Sequence, residues 1–371
     1  MGKFISRRQK ARKKKIAILF GGCSPEYKVS LQSAYAIIKN MDRDKYAPVL
    51  LGITRDGEWY RYYGKPEKIR DDTWTEHPNQ IVPAMFSPDK KDHGIIEFTT
   101  CNYMKDYSKT YVDAAFPVLH GKNGEDGTVQ GLIELSGIPL IGCGTLASAL
   151  GMDKDRAHKL VKAAGITVPE GIVLDAGKCN SNWQQSLYEN ILAHNKMTFP
   201  LFVKPLKAGS SFGISKVNTL EELQFAAEKA LRYDSKIIIE EAIDGFEVGC
   251  AVKGTDAVIT GELDEIELTA DFFDYIEKYT LETSKIHVPA RLSEKKTEEI
   301  KDIAIRIYQV LGCSGFARVD MFLTAEGKVI FNEVNTIPGF TTHSRYPGMM
   351  MAAGFTFSQI VNSLIGEVVG Q

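Results

Sequence analysis

The sequence predicts a multidomain protein that combines an α/β unit with α+β units, and three observations lead to this fold class. The chain has 371 residues, which is more than one hydrophobic core usually supports. Strand-like and helix-like runs alternate from Lys15 to about residue 150, as in an open α/β sheet. Beyond that point short strands flank glycine-rich turns, which is typical of α+β units.

A strand, a glycine turn and a helix follow one another at the start of the chain. The apolar run Lys15–Phe20 suits a buried parallel strand and ends at Gly21 and Gly22. Helical spacing of apolar residues follows over Val29–Met41. The other elements predicted in this part are strands at Tyr46–Ile53 and Ala114–Leu119, a glycine-rich turn at Gly121–Gly127, a helix near Val129–Ser136 and a strand at Pro139–Ile141.

A domain boundary is predicted near Gly142–Gly151, because Met152–Gly165 begins a new helix that ends at a glycine ahead of Pro169. The predicted domains are residues 15–149, 150–240 and 241–371. The polar, aromatic-rich stretch Ala270–Pro289 fits no regular element and is predicted to be a lid. The other predicted elements are strands at Pro200–Lys204, Ile214–Val217, Ile237–Ile239, Gly249–Lys253, Ala257–Leu263, Ala317–Leu323 and Val329–Val334, and helices at Leu220–Leu231, Lys296–Leu311 and Thr356–Ile365.

Composition and charge exclude several classes of protein. The net charge is -2, so no overall positive field favours nucleic acid as the partner. The basic run Arg7–Lys15 is interpreted as a solvated lead-in to the first strand rather than a nucleic-acid or membrane arm. The six cysteines have no CxxC or paired spacing, which predicts neither zinc nor disulfides. With no signal peptide and no apolar stretch of ~20 residues, we expect a cytoplasmic protein without membrane partners.

Two predicted neighbouring strands, ARVDMF and FNEVN, carry a polar cluster of four residues. Because side chains alternate along a strand, Arg318 and Asp320 share one face, as do Glu333 and Asn335. Two carboxylates and an amide oxygen suit Mg²⁺ that bridges nucleotide phosphates, and Arg318 adds positive charge for a developing anion. The alternative is an exposed sheet face with salt bridges.

Phosphate binding is predicted where Lys204 ends a strand and the loop KAGSSFG follows. Backbone N–H groups of such a loop can converge on phosphate oxygens, while a lysine supplies a point charge. By itself the loop could also be an ordinary turn, and Lys154, at the head of its helix, could be a solvated surface lysine.

Carboxylates and one histidine complete the candidate site. Glu240 and Glu241 end a strand and Glu247 follows shortly after, where they could hold a nucleotide's base and ribose hydroxyls or form a charged hinge. Glu26 and His120 follow strands of the first sheet, and ligands of open α/β sheets bind beyond such strand ends. Glu26 suits a substrate ammonium there, whereas His120 could also be a capped loop histidine.

Seven motifs together resemble the D-alanine:D-alanine ligase family of ATP-grasp enzymes. They occur in order from about Lys15 to the C-terminus as GGCSPEYKVS, HGKNGEDG, MDKDRAHK, KPLKAGSSFGIS, EEAIDGFEVG, GFARVDMF and NEVNTIPGFTTHS. The resemblance implies three domains, with an N-terminal Rossmann-like α/β domain and ATP bound between the central and C-terminal ones. It implies that a D-alanine carboxylate is activated as an acyl phosphate and joined to a second small D-amino acid, in an enzyme that is a homodimer.

The resemblance also implies roles for individual residues. Glu26 would bind the first D-alanine's ammonium with His120 beside it, and Ser210 would link Glu26 to Tyr279. Arg318 and the Gly339 N–H would stabilise the oxyanion, and Ser344 would hold the second carboxylate. The implied ATP ligands are Lys154, Lys204, Ser211, Glu240, Glu241, Glu247 and Lys278, and the implied ligands of two Mg²⁺ ions, with Mn²⁺ possible, are Asp320, Glu333 and Asn335.

Within the family, HSRYP (His343–Pro347) and FFDYIEKYT resemble glycopeptide-resistance ligases of the VanG type, which make D-alanyl-D-serine. Tyr279 stands where D-lactate ligases carry a histidine, which argues against D-lactate. Arg345 is a candidate for shaping the second subsite, with a surface ion pair as the alternative. The competing functions are a housekeeping D-alanine:D-alanine ligase, another ATP-grasp enzyme and a non-catalytic nucleotide-binding regulator.

Overall fold

The computed structural model describes residues 12–101, 104–176, 197–209, 212–268 and 284–370. Within these residues the chain forms a seven-stranded, a four-stranded and a five-stranded sheet. The strands of the three sheets span residues 14–117, 171–241 and 245–335 respectively. The mixed α/β and α+β class predicted from sequence is therefore confirmed, while the domain limits at residues 149 and 240 stay a prediction.

The seven-stranded sheet has the strand order β6-β5-β4-β3-β2-β1-β7. Its strands are β1 (Lys14–Gly21), β2 (Tyr46–Ile53), β3 (Trp59–Tyr62), β4 (Ile81–Phe86), β5 (Gly94–Cys101), β6 (Met104–Tyr111) and β7 (Ala114–Pro117). β1 pairs in parallel with β2 and β7, whereas β2 through β6 form an antiparallel meander. The predicted parallel strands are thus confirmed, whereas strands β3 to β6 were not predicted from the sequence.

Helices α1 (Tyr27–Asn40), α2 (Pro66–Arg70) and α3 (Thr128–Leu135) belong to this first unit, with a short 3-10 turn at Pro78–Gln80. The predicted strand Pro139–Ile141 is reduced to one parallel bridge between Leu140 and Ala115. The segment Gly142–Gly151, where a domain boundary is predicted, consists largely of a helix, α4 (Thr145–Met152).

The single helix predicted over Met152–Gly165 is wrong at its start. Asp153 has an extended conformation (φ -89°, ψ 97°), ends α4 and caps α5 (Lys154–Ala163). Its carboxylate accepts the Arg156 N–H at 3.1 Å, which satisfies one of the unpaired donors at a helix start. The cap places Lys154 at the first position of α5.

The four-stranded sheet has the order β10-β9-β11-β8 and is antiparallel throughout. Its elements are β8 (Gly171–Asp175), β9 (Leu201–Pro205), β10 (Ser215–Val217) and β11 (Lys236–Glu241), with α6 (Leu220–Ala230) packed against β9 and β10. The hairpin predicted around KAGSSFG is confirmed, since β9 and β10 pair directly.

The five-stranded sheet has the order β14-β13-β12-β15-β16. Its strands are β12 (Gly245–Lys253), β13 (Ile259–Leu268), β14 (Ser284–His287), β15 (Phe316–Thr324) and β16 (Val329–Asn335), and its helices are α7 (Glu294–Val310), α8 (Arg345–Ala352) and α9 (Phe357–Val369). One face of the sheet packs on α7 through Val248, Cys250 and Val319. The other face packs on α8, which the sequence analysis missed.

The last two helices close the core of the first sheet. Ile360, Val361 and Leu364 of α9 share one buried cluster with Leu31 of α1 and Phe116 of β7. Among the described residues no single helix is long and apolar enough to cross a bilayer, and α8 and α9 pass that test only when joined across a bend of 101°.

Candidate active site

A cavity of about 500 Å³ is lined by residues of the four-stranded and five-stranded sheets. Its volume is typical of small-molecule sites, which span roughly 300–1,000 Å³. Phe202, Ile266 and Phe322 contribute apolar walls. The predicted site residues that line it are Lys154, Lys204, Glu240, Glu241, Glu247 and Glu333.

Lys204 and Glu240 form a buried ion pair at this cavity. They lie on the adjacent strands β9 and β11, where Lys204 pairs with Ile238 and Glu240 with Phe202. The Lys204 Nζ to Glu240 Oε2 distance is 2.6 Å, and His158 Nδ1 lies 3.4 Å from Glu240 Oε1. Burial would raise the pKa of Glu240, but Lys204, His158 and Lys154 together lower it below its usual value. The carboxylate therefore stays ionised and holds Lys204 at the cavity.

Lys154 joins the two sheets at the same cavity. Its Nζ donates to the carbonyl of Ala208, at 3.1 Å, in the loop after β9. It also lies 3.9 Å from Glu333 Oε2 on β16. A cation in this position is 9% exposed at its side chain, which does not match a solvated surface lysine. Two lysines from different elements thus face one cavity, an arrangement that suits phosphate binding.

The predicted polar cluster of the five-stranded sheet comes together. β15 and β16 pair Arg318 with Asn335 and Asp320 with Glu333. Arg318 binds Asp320 in a fork, with Nε to Oδ1 at 2.8 Å and Nη2 to Oδ2 at 2.8 Å. Burial would lower the pKa of Arg318, but the Asp320 charge raises it, so the guanidinium remains charged.

Asn335 adjoins the candidate metal ligand Asp320. Its amide nitrogen donates to Asp320 Oδ2 at 2.8 Å, and its expected role as a metal ligand stays a prediction. Asp320 is 1% exposed at its side chain and is held by both Arg318 and Asn335. The carboxylate is therefore fixed in place by donors that could exchange for a cation.

Glu26 lies where the first and central parts of the chain meet. Its Oε2 is 2.8 Å from the place a Cβ on Gly121 would occupy and 3.5 Å from that of Gly209. Gly121 also has φ +71°, so no other residue fits there without strain. Because Gly209 belongs to the loop after β9, the glycine turn, Glu26 and the candidate phosphate loop adjoin one another.

Glu125 is a second carboxylate beside Glu26. It accepts the N–H of Gly121 at 2.8 Å and the N–H of Ile337 at 3.1 Å. Burial raises the pKa of Glu125 to about 8, and the Glu26 charge adds to the rise, against the two N–H donors and Arg318. Glu125 therefore ties the first sheet's glycine turn to the loop that follows β16.

His120 also connects the first sheet to the loop that follows β16. Its Nδ1 lies 2.9 Å from the Ile337 carbonyl and its Nε2 lies 3.4 Å from the Ser33 hydroxyl. Burial lowers the pKa of His120 more than Glu26 raises it, so the ring is neutral at neutral pH. A neutral ring that donates from Nδ1 leaves Nε2 to accept from Ser33. The histidine is a buried contact between parts of the chain rather than a surface loop residue.

The loop between β16 and α8 contains Gly339 and Ser344. The Ser344 hydroxyl accepts the Thr341 N–H at 3.0 Å, and Ser344 is the residue that precedes the first turn of α8. A Cβ on Gly339 would lie 3.0 Å from Ser344 Oγ. The two predicted residues are therefore neighbours beside the N-terminus of α8, where unpaired N–H groups favour anions.

Two family models match most of this chain. The one described as D-ala D-ala ligase N-terminus matches residues 15–143, and the one described as D-ala D-ala ligase C-terminus matches residues 160–366. The chain belongs to the D-alanine–D-alanine ligase family. The resemblance stated from the motifs is thereby confirmed, and as a member of this family the protein is an ATP-dependent ligase.

Individual relatives include ligases with different names. The structure of the VanG D-Ala:D-Ser ligase from Enterococcus faecalis has a TM-score of 0.87 and 52% identity, covering 96% of this chain and 100% of that one. A D-alanine--D-alanine ligase from Caldicellulosiruptor bescii is 45% identical over 96% of this chain and 95% of its own length. The vancomycin B-type resistance protein VanB from Enterococcus faecalis is 44% identical over 95% of this chain and 97% of its own length. Resistance ligases and D-alanine--D-alanine ligases are thus similar to this chain at comparable identity.

The ligase's candidate metal ligands suit Mg²⁺ by their chemistry. Asp320 and Glu333 are cross-strand partners with hard oxygen atoms, and Mg²⁺ is usually held by one or two carboxylates plus substrate phosphates. Within the described residues no group of three or more His, Cys, Asp or Glu side chains could hold a metal alone. The described cavity lining includes three lysines and five acidic residues, so a polyphosphate would need additional positive charge there.

Arg345 occupies a place that the sequence analysis did not expect. It is not a surface ion pair, since its side chain is 8% exposed. Its three guanidinium nitrogens contact carboxylates of Asp264, Glu247 and Asp320. The expected role of Arg345 in shaping the second subsite stays a prediction.

Four predicted residues lie outside the described part of the chain. They are Ser210 and Ser211 of the candidate phosphate loop, and Lys278 and Tyr279 of the predicted lid. Most of the lid, residues 270–283, is outside as well. Their assigned roles stay predictions.

Three site residues were not singled out from the sequence. Glu125 and His158 lie inside quoted motifs, HGKNGEDG and MDKDRAHK, so a closer reading of these motifs could have found them. Asp264 gave a weaker signal, a carboxylate in strand β13 that proves to be 0% exposed. Its partner Arg345 is 81 residues away, and no local pattern reveals that pairing.

Proposed function

We propose that this protein is a D-alanine:D-serine ligase, which makes a peptidoglycan-precursor dipeptide with altered vancomycin binding. The observation that carries the proposal is the 52% identity with the VanG D-Ala:D-Ser ligase over the whole of that chain. The second candidate is a housekeeping D-alanine:D-alanine ligase, which the 45% identity with the enzyme named so supports. The acting form would be a homodimer.

In the first step D-alanine binds with its ammonium toward Glu26. A carboxylate oxygen of D-alanine attacks the γ-phosphorus of ATP, the bond from that phosphorus to the β–γ bridging oxygen breaks, and ADP leaves. Lys154 and Lys204 would hold the phosphates, because both face the cavity. Glu241 and Glu247, which also line the cavity, would receive the base and ribose hydroxyls. The apolar walls give a nucleotide base a surface on which to pack.

Asp320, Glu333 and Asn335 would hold magnesium, which when bound neutralises charge on the phosphate oxygens. The Lys154 contact with Glu333 and the Arg318 fork on Asp320 keep these carboxylates in place before nucleotide arrives. The chain's own contribution is thus to orient the ligands and offset their mutual repulsion.

In the second step the acceptor's amine nitrogen attacks the carbonyl carbon of D-alanyl phosphate. The carbon–oxygen bond to phosphate then breaks and the amine loses a proton. Arg318 and the Gly339 N–H would stabilise the oxyanion of the tetrahedral intermediate, the kind of fixed charge that often dominates rate enhancement. Ser344 and the start of α8 would bind the acceptor's carboxylate. Since water destroys acyl phosphates, a lid over the site has a chemical purpose.

An acceptor competition tests the specificity. Purified protein is given ATP, Mg²⁺ and D-alanine with an equal concentration of D-serine or D-lactate at neutral pH, and products are quantified by mass spectrometry. We expect D-alanyl-D-serine to predominate and D-alanyl-D-lactate to be negligible. Predominant D-alanyl-D-alanine would instead support the housekeeping ligase.

Arg318→Ala tests the chemical step separately from nucleotide binding. Loss of an oxyanion donor typically lowers kcat about 10²–10³-fold. ADP binding measured by calorimetry without Mg²⁺ should persist, because Arg318 contacts the candidate metal ligand Asp320 rather than the lysines of the cavity. Failure of the unaltered protein to release phosphate with any D-amino acid would contradict ligase activity altogether.

A further inference from the structure

The helix α8 lies unusually close to the five-stranded sheet because two glycines face it. A Cβ on Gly261 would lie 2.9 Å from the Met349 backbone of α8. A Cβ on Gly249 would lie 2.5 Å from Arg345 Nη2 and 2.4 Å from Asp264 Oδ1. Because Gly261 has no side chain, α8 can approach the sheet closely. Because Gly249 has none, there is room for the guanidinium of Arg345, the first residue of α8. The placement of Arg345 is therefore specified by two positions on the sheet.

Asp264 anchors this guanidinium. Arg345 Nε donates to Asp264 Oδ2 at 2.7 Å and Nη2 donates to Oδ1 at 2.8 Å. The Gly249 N–H donates to the same Oδ1 at 2.8 Å. A fork of this kind fixes the plane of the guanidinium as well as its position. Asp264 is 0% exposed, and its carboxylate oxygens accept from Arg345 and from the Gly249 N–H.

The remaining donors of Arg345 reach two residues of the nucleotide site. Nη1 lies 2.5 Å from Oε1 of Glu247, the candidate ribose ligand, and Nη2 lies 3.4 Å from Oδ1 of Asp320, the candidate metal ligand. Three carboxylates at one place repel one another, and a buried cation offsets that repulsion. One side chain thus connects the ribose end and the metal end of the site.

We propose that Arg345 is a positioning residue for nucleotide and magnesium binding, anchored by Asp264, and that it is not a ligand of the second amino acid. The inference rests on the proposed function for the identity of the ligands at Asp320 and Glu247. It replaces the second-subsite role that the sequence suggested, because every guanidinium nitrogen is bonded to a carboxylate.

The test compares Arg345→Met, which removes the charge, with Arg345→Lys, which keeps the charge without the fork. ADP binding is measured by isothermal titration calorimetry across a series of Mg²⁺ concentrations with no amino acid present. We expect Arg345→Met to raise the Mg²⁺ concentration for half-maximal ADP binding by roughly 10–100-fold, the usual effect of losing a residue that orients metal ligands. Arg345→Lys should recover part of the loss.

A matched control uses another arginine that pairs with a carboxylate of β13. Arg291 pairs with Glu265 of β13, adjacent to Asp264, but its side chain is 52% exposed. Arg291→Met removes an arginine–carboxylate pair without touching the cavity, and the Mg²⁺ dependence should stay at the unaltered value. Circular dichroism confirms folding of each variant, and if Arg345→Met does not fold, Arg345→Lys and Gly249→Ala decide the question. Gly249→Ala keeps the charge and displaces the guanidinium, so it should also weaken Mg²⁺-dependent ADP binding.

Steady-state kinetics then distinguishes a role in nucleotide and magnesium binding from a role in binding the second amino acid. With MgATP saturating, the KM for the acceptor should change less than about threefold, or ~0.65 kcal/mol, in Arg345→Lys. A raised acceptor KM with unchanged Mg²⁺ dependence would overturn the inference and restore the second-subsite role. An unchanged Mg²⁺ dependence in every folded variant would overturn it as well. Because calorimetry uses no amino acid, a preference for D-alanine over D-serine would refute the proposed specificity without affecting this result.

Discussion

At the scale of single residues, Glu125 links folding to pH. Its pKa is raised from 4.5 to about 8, so between these values the folded protein holds a proton that the unfolded chain releases. The stabilisation from protonated Glu125 is full below the unfolded pKa and is lost as the pH rises through the folded one. We expect the free energy of unfolding, measured in urea from about pH 5 to about pH 9, to fall more steeply in the unaltered protein than in Glu125→Gln.

The relevant readout is the slope of the free energy of unfolding against pH. The absolute stability is not suitable, because glutamine replaces one acceptor oxygen by an amide group and changes that stability as well. Glu125 accepts the N–H groups of both Gly121 and Ile337, and glutamine can accept only one. Glu221→Gln, on an exposed position of α6, controls for the loss of a carboxylate elsewhere. Parallel slopes for the unaltered protein and Glu125→Gln would contradict the prediction.

At the scale of elements, Asp153 separates α4 from α5 and so places Lys154. Asp153→Ala removes the cap on the Arg156 N–H and should cost about 0.5–2 kcal/mol of stability. It should also raise the KM for ATP, since Lys154 begins α5 and its N–H bonds the Leu206 carbonyl at 3.4 Å. Urea denaturation and ATP kinetics measure the two effects.

Asp153→Asn is the matched variant, because asparagine caps a helix about as well as aspartate. It should retain most of the stability and of the ATP affinity. Equal losses in both variants would mean that the charge of Asp153, which pairs with Arg156 and Lys207, matters more than the cap.

The elements that the sequence predicted are those with a strong local pattern. Tyr46–Ile53 is predicted and observed with the same limits because it is a largely apolar run, and its last five residues are buried. β6 (MKDYSKTY) has no apolar run, so its pairing with β5 depends on the meander as a whole. Likewise, strand alternation predicted that Arg318, Asp320 and Asn335 share a face of the sheet, whereas the Arg345 fork on Asp264 depends on how α8 packs against β12 and β13.

At the scale of the whole molecule, the first and last parts of the chain share one core. Leu364 of α9 is 1% exposed and lies in the same cluster as Leu31, Ala34 and Phe116 of the first unit. His120 and Glu125 add polar contacts to Ile337 in the loop after β16. The loops of the candidate site on either side are thus fixed to each other by packing as well as by hydrogen bonds, and we expect the two parts to unfold together.

Leu364→Ala tests this coupling, and burial of a leucine side chain predicts a cost of about 2–5 kcal/mol. In a Trp183→Phe background the remaining tryptophans, Trp59 and Trp74, report on the first unit by fluorescence, while far-UV circular dichroism reports on the whole chain. The two probes should show one coincident urea transition, shifted to lower urea by the mutation. Leu146→Ala, at a side chain 71% exposed, should change the free energy of unfolding by no more than about 0.5 kcal/mol. If the fluorescence transition separates from the circular dichroism transition, the first unit unfolds alone, and the shared core does not hold the two halves of the candidate site together.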